Sequence, residues 1–177
     1  MQQNMAVTQR DCPVRRVPQG GFEVIPEGQF VSIKQSLGGN YTVTWQGNMY
    51  RIDGTDADAI GAEPEVLEFS DNGSGEIVED QVWQALDTIY DPEIASSLVA
   101  MGLIYAVVLD QSSGRVDIQM TLTAPTCGMG PVLVGDVEYR CAKVPNVKSV
   151  QVELVFDPPW HKDMMSEEAQ LEAGLFF

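Results

Sequence analysis

Between residues 14 and 60 the apolar residues come in short runs, FEVI, QFVSIKQSL, YTVTW and MYRI, each closed by a turn signal such as PEG, GGN, QGN or DG. In YTVTW, Tyr41, Val43 and Trp45 alternate with Thr42 and Thr44, the period of a strand with one buried face. The pattern predicts about four short antiparallel strands in a small β-rich module over residues 1–60. So short a stretch buries little surface, and such a module needs support from the rest of the chain or from a second copy.

Residues 61–75, GAEPEVLEFSDNGSG, show no period and read as an acidic linker. From residue 76 the period changes. Val78, Val82, Leu86 and Ile89 form one helical stripe with Trp83 beside it. The helix this predicts, over 76–90, stops at Asp91-Pro92, because the residue before proline is pushed out of the helical region. Two strand runs follow, 103–109 and 115–122, joined by Asp110-Gln-Ser-Ser-Gly114 as a hairpin. In the second run Val116, Ile118, Met120 and Leu122 fall on a core face, and Asp117, Gln119 and Thr121 on a wet face.

A second helix is predicted around Pro131, with Leu133, Val137, Cys141 and Val144 as its stripe and Pro145 beyond its end. A last strand over 147–156 gives the order helix, hairpin, helix, strand, for which two layers and a right-handed crossover onto the same sheet are expected. Residues 161–173 then read as one short acidic helix stopped by Gly174, with Leu175, Phe176 and Phe177 as an apolar tail docked on the core. The predicted class is α+β: a two-layer α/β domain over 76–160, preceded by the antiparallel β module and followed by a C-terminal helix and tail over 161–177.

Charge narrows the functional classes. The 177 residues carry 26 Asp and Glu against 10 Lys and Arg, a net charge of -16. Residues 1–60 contribute -1 and residues 61–177 contribute -15, and residues 61–93 hold ten acids and no base. That sign repels phosphate backbones and anionic lipid surfaces, so neither nucleic acid nor a membrane is an expected partner. The acidic stretch serves solubility or attracts basic partner surfaces. The longest apolar run, 98–109, is twelve residues, too short for a spanning helix. No signal peptide is visible, and three widely spaced cysteines, Cys12, Cys127 and Cys141, fit neither a disulfide framework nor a CxxC site. A soluble protein of the reducing cytoplasm is expected.

The stretch TLTAPTCGMGP, residues 121–131, carries the most chemistry. Cys127 follows a core strand and precedes a helix, where unpaired amides favour a thiolate and lower its pKa. Such a thiol can be a nucleophile, a redox sensor or a soft-metal ligand. Gly128 and the glycine after Met129 would let backbone approach a ligand closely, with no evident core purpose. Cys141 lies on a helix stripe and reads as core. Cys12, in a polar segment beside Pro13, reads as structural or incidental, with a minor role as an extra ligand. Asp91 and Glu93 flank Pro92 and could bind a hard metal, exchange protons or cap a loop. Thr121 and Thr123 are expected on a wet face near Cys127. The single histidine, His161, reads as exposed at a helix start. A thiol-dependent enzyme with Cys127 as nucleophile would need His161, Asp91 or Glu93 as its base. A pure interaction adaptor, with the thiol inert, is the third class.

Taken together, Asp91-Pro-Glu93, the hairpin, Thr121-x-Thr123-x-x-x-Cys127 before a helix and a strand ending in Phe156-Asp-Pro-Pro-Trp160 resemble the PaaD-like metal-sulfur cluster assembly family. The N-terminal β module, Cys127-Gly-Met-Gly130 and the acidic Met-containing C-terminus are similar to its SUF-system maturation branch. The resemblance implies a non-enzymatic iron-sulfur cluster assembly factor of the cytoplasm, a homodimer that meets cluster scaffold proteins and recipient apoproteins. It implies Cys127 as the functional thiol and transient or shared metal ligand, with Asp91, Glu93, Thr121 and Thr123 around it. Many relatives carry proline after this cysteine where this chain has Gly128. Clusters are normally held by about four cysteines, so one thiol per chain predicts a transient iron-sulfur cluster, completed by a second chain, a partner or a small thiol.

Overall fold

A computed structural model describes residues 5–37, 40–70, 73–91, 96–124, 128 and 130–174. The chain divides into two compact units, Met1–Leu67 and Glu68–Phe177.

Unit 1 is a six-stranded antiparallel sheet of β1 (Met5–Val7), β2 (Cys12–Arg16), β3 (Phe22–Ile25), β4 (Phe30–Leu37), β5 (Asn40–Trp45) and β6 (Asn48–Ile52), in the order β1-β4-β5-β6-β2-β3. The four expected runs correspond to β3 to β6. The β5-β6 hairpin turns on Gln46 and Gly47, both at positive φ (49° and 78°), which suits a two-residue turn matched to strand twist. Val14, Ile25, Val43, Tyr50 and Ile52 form its core, closed by a 3-10 helix, Gly54–Ile60. Strands β1 and β2 were not expected, because CPVRR contains a proline and two arginines and shows no apolar alternation. Its pairing instead places Arg15 opposite Arg51, and both are buried. Asp53, also buried, lies 3.9 Å from Arg15 Nη2. Cys12 therefore belongs to a fully buried strand position, a correction to the polar segment expected for it.

Unit 2 contains α1 (Glu79–Leu86), β7 (Ile104–Asp110), β8 (Arg115–Met120), α2 (Gly130–Cys141), β9 (Ser149–Leu154) and α3 (Glu167–Glu172). The strand order is β7-β8-β9, with β7 and β8 antiparallel and β8 and β9 parallel across α2. Val82 and Leu86 from α1, Leu133, Val137 and Cys141 from α2, and Val116, Ile118 and Met120 from β8 share one core. This is the expected two-layer α+β domain.

Three boundaries differ from the pattern. Gln111 clamps Ile77, donating to its carbonyl at 2.9 Å and accepting from its amide at 2.7 Å, so α1 begins only at Glu79. Past Leu86 the chain continues in turns, and Ile89 is buried without being helical. The end of the acidic linker is not free: Gln84 donates to Glu68 O at 3.0 Å and Phe69 packs on the core. The single C-terminal helix is instead a 3-10 turn, Lys162–Met164, and α3. Ser166 restarts the helix by capping the Ala169 amide at 3.2 Å, while extended Met165 is buried in the core. The tail 175–177 lies outside the described residues.

Candidate functional site

Asp91 follows the turns that end α1 and is buried. Its amide donates to Ser96 O at 3.1 Å, and Tyr90 bridges Ser97. A run of backbone hydrogen bonds continues from this loop. Leu98 N donates to Ile89 O (2.8 Å), Leu103 N to Leu98 O (3.0 Å), and Thr121 N to Leu103 O (2.8 Å). The structure thus ties the Asp91 turn to the Thr121 corner, two places that the sequence separates by thirty residues. Glu93 and Cys127 lie outside the described residues.

Thr121 is not on a wet face. It is fully buried, and Leu122 beside it is buried too. β8 ends at Met120 and the β7-β8 register shifts between Ile104 and Ala106, so strand alternation no longer governs where Thr121 points. Its amide is held by Leu103 instead. Thr123 is half-buried.

The two glycines around Met129 differ. A Cβ at Gly128 would meet nothing within 4 Å, whereas at Gly130 it would lie 2.9 Å from Leu122 Cδ1. Gly130 therefore has a core purpose: it lets the first turn of α2 press onto the sheet. Gly128 has free space and no left-handed φ, so the structure places no steric demand for glycine there.

The other thiols are excluded from surface chemistry. Cys141 is fully buried on α2, and burial pushes its pKa up to about 12. Burial, with the charge of Asp56 second, pushes Cys12 up to about 12 as well. Neither can supply a thiolate near neutral pH. His161 is exposed at the start of the 3-10 turn, where Nδ1 accepts from Asp163 N at 3.2 Å.

Beside Asp91 opens a polar cleft of about 350 Å³, lined by Asp87, Tyr90, Ser96, Ser97, Glu168 and Glu172 among others. Ser97 Oγ donates to Asp87 Oδ1 at 2.6 Å, and Ser96 Oγ to Glu172 Oε2 at 3.3 Å. Its charge is negative throughout. Among the described residues, no three His, Cys, Asp or Glu side chains converge to hold a metal ion, and no helix is long and apolar enough to cross a membrane.

Sequence reasoning missed two buried charges on α2, Asp136 and Arg140, both fully inaccessible. Arg140 Nη1 donates to Thr88 O at 3.2 Å, just ahead of the Asp91 turn. The available signal was their spacing of four in a helix whose stripe runs beside them.

A two-layer domain with two helices over a mixed three-stranded sheet, and a loop site at the start of its second helix, defines a small cluster-handling class of α+β protein. Residues 79–154 match the family described as iron-sulfur cluster assembly protein, and the chain belongs to that family. It is 45% identical over 96 residues to an Fe-S protein maturation auxiliary factor of Porphyromonas gingivalis, covering 54% of this chain and 90% of that one. It is 38% identical over 87 residues to the Fe-S protein maturation auxiliary factor SufT of Staphylococcus aureus, covering 49% and 98%. A crystal structure of a DUF59 domain from Bacillus anthracis superposes with a TM-score of 0.52 at 33% identity, covering 55% of this chain and 92% of that one. The matched family segment lies wholly in unit 2.

Proposed function

We propose that this protein is a non-enzymatic maturation factor that receives an iron-sulfur cluster as cargo on Cys127 and passes it to recipient apoproteins in the cytoplasm. The observation that carries the reading is the fate of the other two thiols. Cys12 and Cys141 are both core residues with pKa values pushed up to about 12, so among three cysteines only Cys127 is left to meet a metal. Asp91, Thr121 and Thr123 support its loop, the first two through the backbone ties between the α1 turn and the β8 corner, and Glu93 lies in the same loop as Asp91 by sequence.

One thiolate is too few for a cluster, which normally takes about four cysteine ligands. The cargo is therefore held transiently and shared, across a homodimer or with a scaffold or recipient protein. Glycine rather than proline at 128 leaves the loop after the thiol free to adjust to each of these partners. The acidic cleft beside Asp91 favours basic surfaces on such partners, an attraction that weakens as salt rises.

Reconstitution with iron and sulfide tests the reading. Wild type is expected to gain visible absorbance that Cys127→Ala lacks, while Cys12→Ser and Cys141→Ala, if folded, keep it. Equal cluster content in wild type and Cys127→Ala would remove Cys127 as a ligand.

A further inference from the structure

Helix α2 carries Asp136 and Arg140 one turn apart, and both are fully buried within unit 2. Charged side chains are almost never fully buried unless paired, because desolvation disfavours each charge, and a well-packed apolar residue would often fill the same space at least as stably. Packing alone therefore does not account for them. What a guanidinium adds is direction, since its planar fork fixes the angle and distance of the groups it meets.

Arg140 meets Thr88 O at 3.2 Å. Thr88 directly precedes Ile89, where the backbone ties to Leu98, Leu103 and Thr121 begin, and stands three residues before Asp91. At its other end, α2 starts three residues after Cys127. The contact thus joins the helix that follows the thiol to the turn that leads into the acidic loop. The geometry points to Arg140, supported by Asp136, as a positioning residue that sets α2 against the Asp91 turn and so fixes how the thiol and acidic loops face each other. This rests on the reading of Cys127 as the cluster-binding thiol.

The test uses the full chain as Arg140→Met and Arg140→Lys, with Cys127→Ala alongside. Far-ultraviolet circular dichroism reports the fold. Function is read as the rate of cluster transfer to a purified apo-ferredoxin and as the pH profile of Cys127 alkylation, assigned by peptide mass spectrometry. Arg140→Met is expected to fold, to transfer about tenfold more slowly, as loss of outer-shell support typically does, and to shift the alkylation profile. Arg140→Lys, which keeps a donor, should fall between it and wild type. A folded Arg140→Met with wild-type transfer and an unmoved profile overturns the inference. If Arg140→Met does not fold, Arg140→Lys decides: slowed transfer in a folded protein supports positioning, and wild-type transfer overturns it. Failure of both to fold assigns the pair to stability alone and also overturns it. Wild-type transfer by Cys127→Ala would instead sink the thiol reading itself, whereas an inactive Cys127→Ala beside a fully active Arg140→Met sinks only the positioning role.

Discussion

In unit 1 two arginines, Arg15 and Arg51, occupy partner positions on adjacent strands and are both buried, with buried Asp53 nearby, whereas unit 2 encloses a largely apolar core and carries its opposed buried charges, Asp136 and Arg140, on one helix. Like charges facing each other across a ladder destabilise it unless something answers them. Unit 1 therefore depends on specific polar partners at its centre, and unit 2 on burial of hydrocarbon. The family match, residues 79–154, falls only on the second kind of structure.

The sharpest way to break this comparison is at Asp53. Its Oδ1 accepts from Thr55 N at 3.0 Å and Thr55 Oγ1 at 2.8 Å, capping the 3-10 helix, while Oδ2 faces Arg15. Asp53→Ala removes the cap and the nearby negative charge while both arginines stay buried, and a broken buried ion pair typically costs about 3–5 kcal/mol. Hydrogen exchange read peptide by peptide should show protection lost across residues 12–60. Equal loss across residues 104–120 would mean that the two units unfold as one, and an unchanged pattern would mean that the buried charges are not what holds unit 1.

What was legible in the residues follows the same division. The helix, hairpin, helix, strand order of unit 2 was readable because each element buries one face, and burial writes a period of two or near 3.6 into the chain. Strand β2 was not readable, since Arg15 and Arg51 are inside for reasons of pairing that no hydropathy pattern encodes. Thr121 was assigned to the wrong environment because alternation holds only while the strand lasts, and β8 ends at Met120. Ile77 looked helical and is held out of the helix by Gln111, a contact across 34 positions. Cys141 was placed correctly by its stripe. Cys12 had no stripe to place it.

A middle-sized effect separates the two glycines and probes packing in unit 2. Gly130→Ala pushes a methyl against buried Leu122 and should cost about 1 kcal/mol, the low end for overpacking. Gly128→Ala meets open space and should stay within about 0.5 kcal/mol of wild type. Urea midpoints of the two variants measure this. If Gly130→Ala proves neutral, the first turn of α2 is free to shift, and the close approach to the sheet is not a constraint.

The smallest effect lies on the rim of unit 1, where Arg10 forks onto Asp58 at 2.9 and 2.8 Å and reaches Asp56 at 2.9 Å. The hydrogen bonds from Arg10 lower the Asp58 pKa below its ordinary 3.8. A carboxylate with a lowered folded pKa adds stability that is complete above its unfolded pKa and is lost as pH falls through the folded value. Asp58→Asn should therefore melt below wild type at neutral pH, and the gap should close as pH falls below about 4. Both side chains are well exposed, so solvent screening holds the effect to about 0.2–1 kcal/mol, and 1 M salt, where the Debye length is about 3 Å, should shrink it further. A gap that persists at low pH would show that Asp58 acts through shape rather than charge. The rim of unit 1 would then be held by a different force from the ion pairing assigned to its interior.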